Sequence, residues 1–268
     1  MEAQWHVPSY ETAEFRKRRH RYCVAVFVID EGQRLLDQLD RMSPLADVVD
    51  IFVADSGSTD GSTSEEGLRQ RDVAALLTKR GEGRLGTQMR MAFHYALENG
   101  YEGVITIDGN GKDDVRAMPL FVAALSEGLD HVQGSRFIQG GREVNTPRSR
   151  LWGVRLLHAP AISLSAGIRY TDTTNGFRAY SARLLLDPRV APFRNIFVGY
   201  ELHYYLAIRA ARLGFRCKEV PTTRSYPSDG PTPTKIHGFK GNASILEALA
   251  RACFHGFNPP TGRSGSDR

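Results

Sequence analysis

Cysteine is scarce in this chain. Cys23, Cys217 and Cys253 are the three in 268 residues, and none sits in a C-x-x-C pair or at zinc spacing. That argues against a disulfide framework and fits a reducing cytosol with buried thiols. Long apolar runs are also missing. The longest, residues 24–29, is far short of the roughly 20 residues that a membrane-spanning helix needs. The N-terminus has no apolar stretch of the kind a secretory signal carries. No G-x-x-x-x-G-K-[ST] loop occurs, which argues against a P-loop NTPase. Acidic residues do not predominate: 35 Lys and Arg against 30 Asp and Glu leave a net charge of +5 and an isoelectric point of about 9.2. That balance suits phosphorylated ligands or an anionic membrane surface. Hydrophobic residues make up 41%, enough for the core of a single α/β domain.

What is present is a pair of acidic strand ends. Val104-Ile105-Thr106-Ile107-Asp108-Gly109-Asn110-Gly111 reads as a short buried strand closing on a carboxylate, then on an amide oxygen between two glycines. Residues 49–55 end the same way, on Asp55, followed by Ser56-Gly57-Ser58-Thr59-Asp60-Gly61-Ser62. Each alone is most simply an Asp-Gly turn capping the next helix. Together they predict a sheet whose carboxyl edge holds a nucleotide. Around them strands (22–29, 48–54, 73–78, 104–107, 131–135, 216–220) alternate with apolar helical stripes, such as Leu85, Met89, Ala92, Phe93, Ala96 and Leu97 with Gly100 as the stop. This pattern predicts a single-domain α/β fold with a mostly parallel central sheet and helices on both faces. Further helices are expected near 150–166, 200–213 and 242–254, with a loop over 221–233 and a disordered tail from 259.

The basic run Arg16-Lys17-Arg18-Arg19-His20-Arg21 closes what reads as an N-terminal arm, residues 1–21. A solvated arm is the plainer reading and contact with anionic lipid the sharper one. No aromatics interleave with the charges, so nucleic acid is not expected as a partner. Gly81-Glu82-Gly83-Arg84-Leu85-Gly86 matches G-x-G-x-x-G, and Asp108 stands near the distance of a ribose acid. This raises an NAD-type oxidoreductase as a rival. It leaves Asp55–Ser62 unexplained.

Several motifs, in order, resemble the family 2 glycosyltransferases of GT-A fold, in the branch of dolichyl- and polyprenyl-phosphate sugar synthases. They are Val28-Ile29-Asp30-Glu31, residues 54–62, Gly83-Arg84-Leu85-Gly86, Asp108-Gly109-Asn110 at the Asp-x-Asp position, Gly134-Ser135-Arg136-Phe137, and Thr171-Asp172-Thr173-Thr174-Asn175-Gly176-Phe177-Arg178. The resemblance covers roughly residues 22–236. It implies an inverting hexosyltransferase that uses a nucleotide diphosphate sugar, with Mg²⁺ or Mn²⁺ at Asp108 and Asn110. The donor residues it implies are Asp30, Glu31, Asp55, Gly57, Ser58, Arg84, Asp108, Gly109, Asn110 and Lys235, the last in a mobile loop. Residues 22–136 form the nucleotide-sugar half and 137–258 the acceptor half, where Arg136, Arg148, Arg150, Asp172, Asn175 and Arg178 are the expected acceptor residues. Catalytic roles fall to Asp108, Arg136 and Glu201. Asn110 replaces the second aspartate, Lys112 stands where relatives can carry a metal-contacting Gln, and Leu202 occupies the usual base slot. A phosphate acceptor, polyprenyl or soluble, brings its own ionised nucleophile; a hydroxyl acceptor needs a base, for which Glu201 is the candidate. The sequence leaves the oligomeric state open. It places the protein in the cytoplasm, with a peripheral contact to the membrane face as an option.

Overall fold

The computed structural model describes residues 5–228 and 238–260. Its strands are β1 (Tyr10–Glu14), β2 (Tyr22–Val28), β3 (Asp50–Asp55), β4 (Ala75–Lys79), β5 (Gly103–Asp108), β6 (His131–Ser135), β7 (Arg142–Val144), β8 (Arg178–Ser181), β9 (Cys217–Pro221) and β10 (Thr223–Ser225). The helices are α1 (Gln33–Met42), α2 (Glu65–Arg69), α3 (Leu85–Glu98), α4 (Met118–Ser126), α5 (Arg148–Gly153), α6 (Ala159–Ala166), α7 (Ala182–Leu186), α8 (Glu201–Arg212) and α9 (Gly238–Cys253). The main sheet runs β1-β4-β3-β2-β5-β8-β6-β9, and β10 pairs in parallel with β7 beside it. The pairs β4/β3, β3/β2, β2/β5 and β6/β9 are parallel; β1 and β8 run against their neighbours.

Alternation along β2 divides its side chains between two cores. Cys23, Ala25 and Phe27 join α3, α6, α8 and α9 on one face, while Val24, Val26 and Val28 join α1 and α4 on the other. A strand buried on both faces reads as a continuous apolar run, and all seven β2 residues are buried. Full burial of a Leu or Phe side chain contributes about 1.5–3 kcal/mol, so these two cores hold the layers together. The parallel strands β2, β3, β5 and β6 all point their carboxyl ends to one edge. Because β8 runs the other way between β5 and β6, its amino end brings residues 173–177 to that same edge.

Two expectations change here. The N-terminal arm is an edge strand: β1 lies antiparallel on β4, with Tyr10 opposite Lys79. The basic run is stapled at Arg16 and solvated beyond it. Arg16 pairs with the buried Asp50 and, at 2.9 Å, with Asp72. The amides of Arg19 and His20 donate to Asp50 Oδ2 at 2.9 and 3.0 Å, and Arg21 pairs with Glu102. Lys17, Arg18, Arg19 and Arg21 nonetheless remain exposed. The loop expected over 221–233 contains β10 at its start, and residues 229–233 lie outside the described residues, as does the tail from 261. The expected helix at 242–254 is α9.

Candidate active site

Two turns form one wall of the site. Asp55 ends β3, and both of its carboxylate oxygens accept the Ser58 amide at 3.0 Å; Oδ1 also accepts the Ser58 hydroxyl at 2.6 Å. Burial pushes the Asp55 carboxyl above its ordinary value, against the donors of Ser58 and Gly57. The turn after β2 locks onto this one. Asp30 adopts φ 46°, a left-handed conformation that Asp tolerates better than most residues. Its amide donates to Ser58 Oγ at 2.9 Å and its Oδ1 accepts the Thr59 amide at 2.8 Å. Asp60 Oδ2 accepts the Gly32 amide at 2.7 Å. Glu31 is buried and pairs with Arg34 at 3.1 Å. The structure thus brings Asp30, Glu31, Asp55, Gly57 and Ser58 together.

Two buried glutamines that no motif marks fix the strand ends. Gln38 on α1 donates to the Asp108 carbonyl at 3.0 Å and accepts the Gly111 amide at 2.8 Å. Gln88 on α3 donates to the carbonyls of Val28, at 3.0 Å, and Ala54.

Asp108 closes β5 with its side chain 28% exposed. Gly176 lies against it: a Cβ there would stand 3.1 Å from Asp108 Oδ1. Asp108 Oδ2 accepts Arg224 Nη2 at 3.2 Å. Arg224 also donates to the buried Asp113 Oδ2, at 2.5 Å, and to Asn175 Oδ1 at 3.2 Å. Burial opposes ionisation of Asp108, but Arg224 and then Lys112 hold its carboxyl below the ordinary range. Burial, then Arg224, pushes the Lys112 ammonium down to about 8. Burial raises Asp113 in spite of Arg224, and its Oδ1 has no hydrogen-bond partner. Asn110 is turned into its own loop: Nδ2 lies 3.4 Å from Asp108 Oδ2, and Oδ1 accepts the Lys112 amide at 3.3 Å. A hard divalent cation wants about six oxygen ligands in open positions. Asp108 with Arg224 upon it, and Asn110 with both polar atoms engaged, fit such an ion poorly. No group of three or more His, Cys, Asp or Glu suited to a metal occurs among the described residues.

The expected acceptor residues divide. Arg136 and Asp172 form a bidentate pair at 2.6 and 3.0 Å, with both side chains at most 1% exposed. Arg178 is buried and donates to the carbonyls of Asn175, His203 and Thr173 at 2.9, 2.9 and 2.7 Å. Asn175 is buried too; its Nδ2 donates to Thr222 Oγ1 at 3.1 Å and its Oδ1 accepts the Phe177 amide at 3.0 Å. Partners within the fold take up Asp172, Asn175 and Arg178, whereas Arg136 Nη1 is buried with no hydrogen-bond partner, and the four residues build the site's frame. Arg148 and Arg150 remain on α5. Arg148 is exposed; Arg150 donates to the Tyr226 hydroxyl at 3.3 Å. Burial, then Asp108, pushes the Tyr200 hydroxyl up to about 12, against Arg150, Arg224 and Arg84. Lys235 lies outside the described residues.

Glu201 opens α8, and its Oε1 accepts the amides of Val198 and, at 2.5 Å, Gly199. It is a first-turn carboxylate satisfying helix-end donors. The Gly81–Gly86 motif meets the same loop. The amides of Arg84 and Thr87 donate to the Val198 carbonyl at 3.2 and 3.3 Å, and a Cβ on Gly86 would come within 2.7 Å of the Gly199 oxygen. Protein backbone fills the place a pyrophosphate takes in a dinucleotide fold, which removes the oxidoreductase rival.

On the α5–α6 side, beyond the π-helical turn Val154–His158, a groove of about 490 Å³ is lined by Phe137, Arg155, Pro160, Ser163, Arg169 and Tyr170 among others. Trp152, Leu156, Leu157 and Leu164 on the same helical stretch are exposed. A second cleft, of about 340 Å³, opens among Arg21, Glu102, Asp130 and Arg216, away from the acidic strand ends.

A sheet of this order, with two locked Asp turns and Asp108 along one carboxyl edge, defines a nucleotide-sugar transferase of GT-A type. The chain belongs to the family 2 glycosyltransferases, in the branch of the polyprenyl-phosphate sugar synthases: it is 32% identical over 190 residues to the undecaprenyl-phosphate mannosyltransferase of Micrococcus luteus, covering 69% of this chain and 75% of that one. It is 28% identical over 209 residues to the polyprenol monophosphomannose synthase of Mycolicibacterium smegmatis, covering 76% and 77%. Glucosyl-3-phosphoglycerate synthase from Mycobacterium tuberculosis, solved with Mn²⁺, UDP-glucose and phosphoglyceric acid, shares the fold with a TM-score of 0.61 at 20% identity, over 90% of this chain and 81% of that one. No protein-family model matches the chain. The protein is a glycosyltransferase, and no helix among the described residues is long and apolar enough to cross a membrane.

Proposed function

We propose that the protein transfers a hexose, with inversion, from a nucleotide diphosphate sugar to a phosphate-bearing acceptor. The observation that carries this reading is Glu201. The one carboxylate near the usual base position is bound to two backbone amides, and Leu202 beside it is buried and cannot take a proton. A phosphate monoester is already ionised at neutral pH and needs no base. Its oxygen attacks the anomeric carbon, the bond from that carbon to the diphosphate oxygen breaks, and the diphosphate leaves with the electron pair. The base and ribose rest against Asp30, Glu31 and the Asp55 turn. Fixed cations near the diphosphate stabilise the charge that develops there. Arg150 and Arg148 meet the acceptor phosphate, since Arg matches phosphate with a two-pronged donor set. Residues up to 136 serve the donor and those from 137 to 258 chiefly the acceptor, with Arg224 reaching back to Asp108.

Solved structures of the glucosyl-3-phosphoglycerate synthase carry Mn²⁺ or Mg²⁺ with UDP. In this chain the expected metal residues, Asp108 and Asn110, are engaged as described above, and no step here runs through a metal. The apolar side chains exposed along α5 and α6 stand beside Arg148 and Arg155. They favour a polyprenyl phosphate at a cytoplasmic membrane face over a soluble acceptor, since an apolar face with a basic border suits anionic lipid. The test is transfer of labelled sugar from a panel of nucleotide sugars to polyprenyl phosphate, polyprenol and 3-phosphoglycerate. Product with polyprenyl phosphate is expected. Product with polyprenol alone would overturn the reading.

Asp55→Ala is expected to weaken binding of the nucleoside diphosphate by about 1–3 kcal/mol, the cost of leaving buried donors unpaired. Calorimetry checks it; an unchanged affinity would remove Asp55 from the site.

A further inference from the structure

We propose that Arg224 takes the place of a divalent ion at Asp108, so that donor binding does not require such an ion. This inference rests on the reading of the site as one for a nucleotide diphosphate sugar. An Asp-x-Asp strand end presents two carboxylates and awaits a doubly charged cation. Here the second position is Asn110, a neutral group whose two polar atoms turn back onto Asp108 and the Lys112 amide. Arg224 bridges the two carboxylates Asp108 and Asp113, the place a cation between them would take.

Arg224 is held in place by the fold. Its side chain is 6% exposed, and Asp108, Asp113 and Asn175 fix it from three elements. The parallel pairing of β10 with β7 and the bridge between Asp113 and Arg224 set its backbone. Lys112 is buried between Arg224 and the Tyr226 ring, with Nζ 5.6 Å from the ring centroid. An ion pair fixed in advance within a water-poor site needs no rearrangement when the donor arrives. Asp113 and Arg224 are the residues that no motif accounts for, and this role explains why both are buried beside Asp108.

The test is calorimetry of UDP and GDP with the full chain in EDTA, in Mg²⁺ and in Mn²⁺, together with Mn²⁺ binding to the free protein followed by electron paramagnetic resonance. For the diphosphate that binds better, the affinity is expected to change less than about threefold between EDTA and Mn²⁺. The double variant Asn110→Asp, Lys112→Gln is expected to bind the diphosphate at least tenfold more tightly in Mn²⁺ than in EDTA, and to take up Mn²⁺ where the natural chain does not. A natural chain whose diphosphate affinity falls tenfold or more in EDTA and returns with Mn²⁺ would overturn the inference and leave the donor reading intact. Failure to bind either diphosphate under any condition would sink the donor reading and this inference with it.

Discussion

Arg136→Ala is expected to lower the free energy of unfolding by about 3–5 kcal/mol, the range seen when one partner of a buried ion pair is removed. Arg136 reaches both oxygens of Asp172, and neither side chain meets solvent. Without the guanidinium, the carboxylate keeps only the Thr174 amide and hydroxyl and the Arg136 amide. Replacing both partners together, as Arg136→Met with Asp172→Leu, should recover most of the loss, because no unpaired charge remains. Urea denaturation measures both; a single-variant loss under about 1 kcal/mol would contradict the buried pair. The pH dependence has a definite sign. Burial pushes the Asp172 carboxyl up, but Arg136 and the backbone amides outweigh it and hold it below the ordinary value. The pair's contribution is therefore complete above the unfolded carboxyl's value of about 4. It is lost as pH falls through the depressed folded value, where natural and variant stabilities converge. A loss of activity in Arg136→Ala must accordingly be measured at a temperature where the variant is folded before it says anything about an acceptor.

Part of the site's frame is legible in the sequence and part is not. The Asp55 and Asp108 strand ends are local features. A fully buried strand reads as an apolar run, and the glycine-rich turn follows within three residues. The long-range partners carry no such mark. Arg224 contacts Asp108 across 116 positions, from a Thr- and Ser-rich stretch that reads as loop. Gln38 and Gln88 lie on helices whose apolar stripes gave no reason to single out a polar neighbour. Arg136 and Arg178 were read as phosphate clamps because arginine suits phosphate. The reversal of β8 between β5 and β6 places Arg178 opposite Gln133 and Thr106, inside the sheet. A parallel α/β alternation gives no warning of that reversed strand, and its direction decides which side chains face inward. The N-terminal arm failed for a related reason. Its Arg16 looks solvated until Asp50 and Asp72 arrive from residues far along the chain.

Arg150→Ala is expected to reduce kcat/KM for the phosphate acceptor roughly 10- to 100-fold, in line with the loss of a hydrogen bond to a charged group. The effect should fall on the acceptor and leave the donor's KM within about twofold, because Arg150 sits on α5 against Tyr226 and away from the Asp30 and Asp55 turns. Glu201→Gln provides the contrast. Glutamine keeps the side-chain oxygen that accepts the Val198 and Gly199 amides, so the loop and the start of α8 should hold and activity should stay within about tenfold. Loss of a general base costs roughly 10²–10⁴ in rate, which separates the two roles without ambiguity. The mutants should be assayed side by side with saturating donor and varied polyprenyl phosphate. A dead Glu201→Gln beside an active Arg150→Ala would make Glu201 the base, turn the acceptor into a hydroxyl and remove the phosphate reading. The opposite order, with Arg150→Lys recovering part of the loss as a point charge without the fork, is the result the geometry leads us to expect.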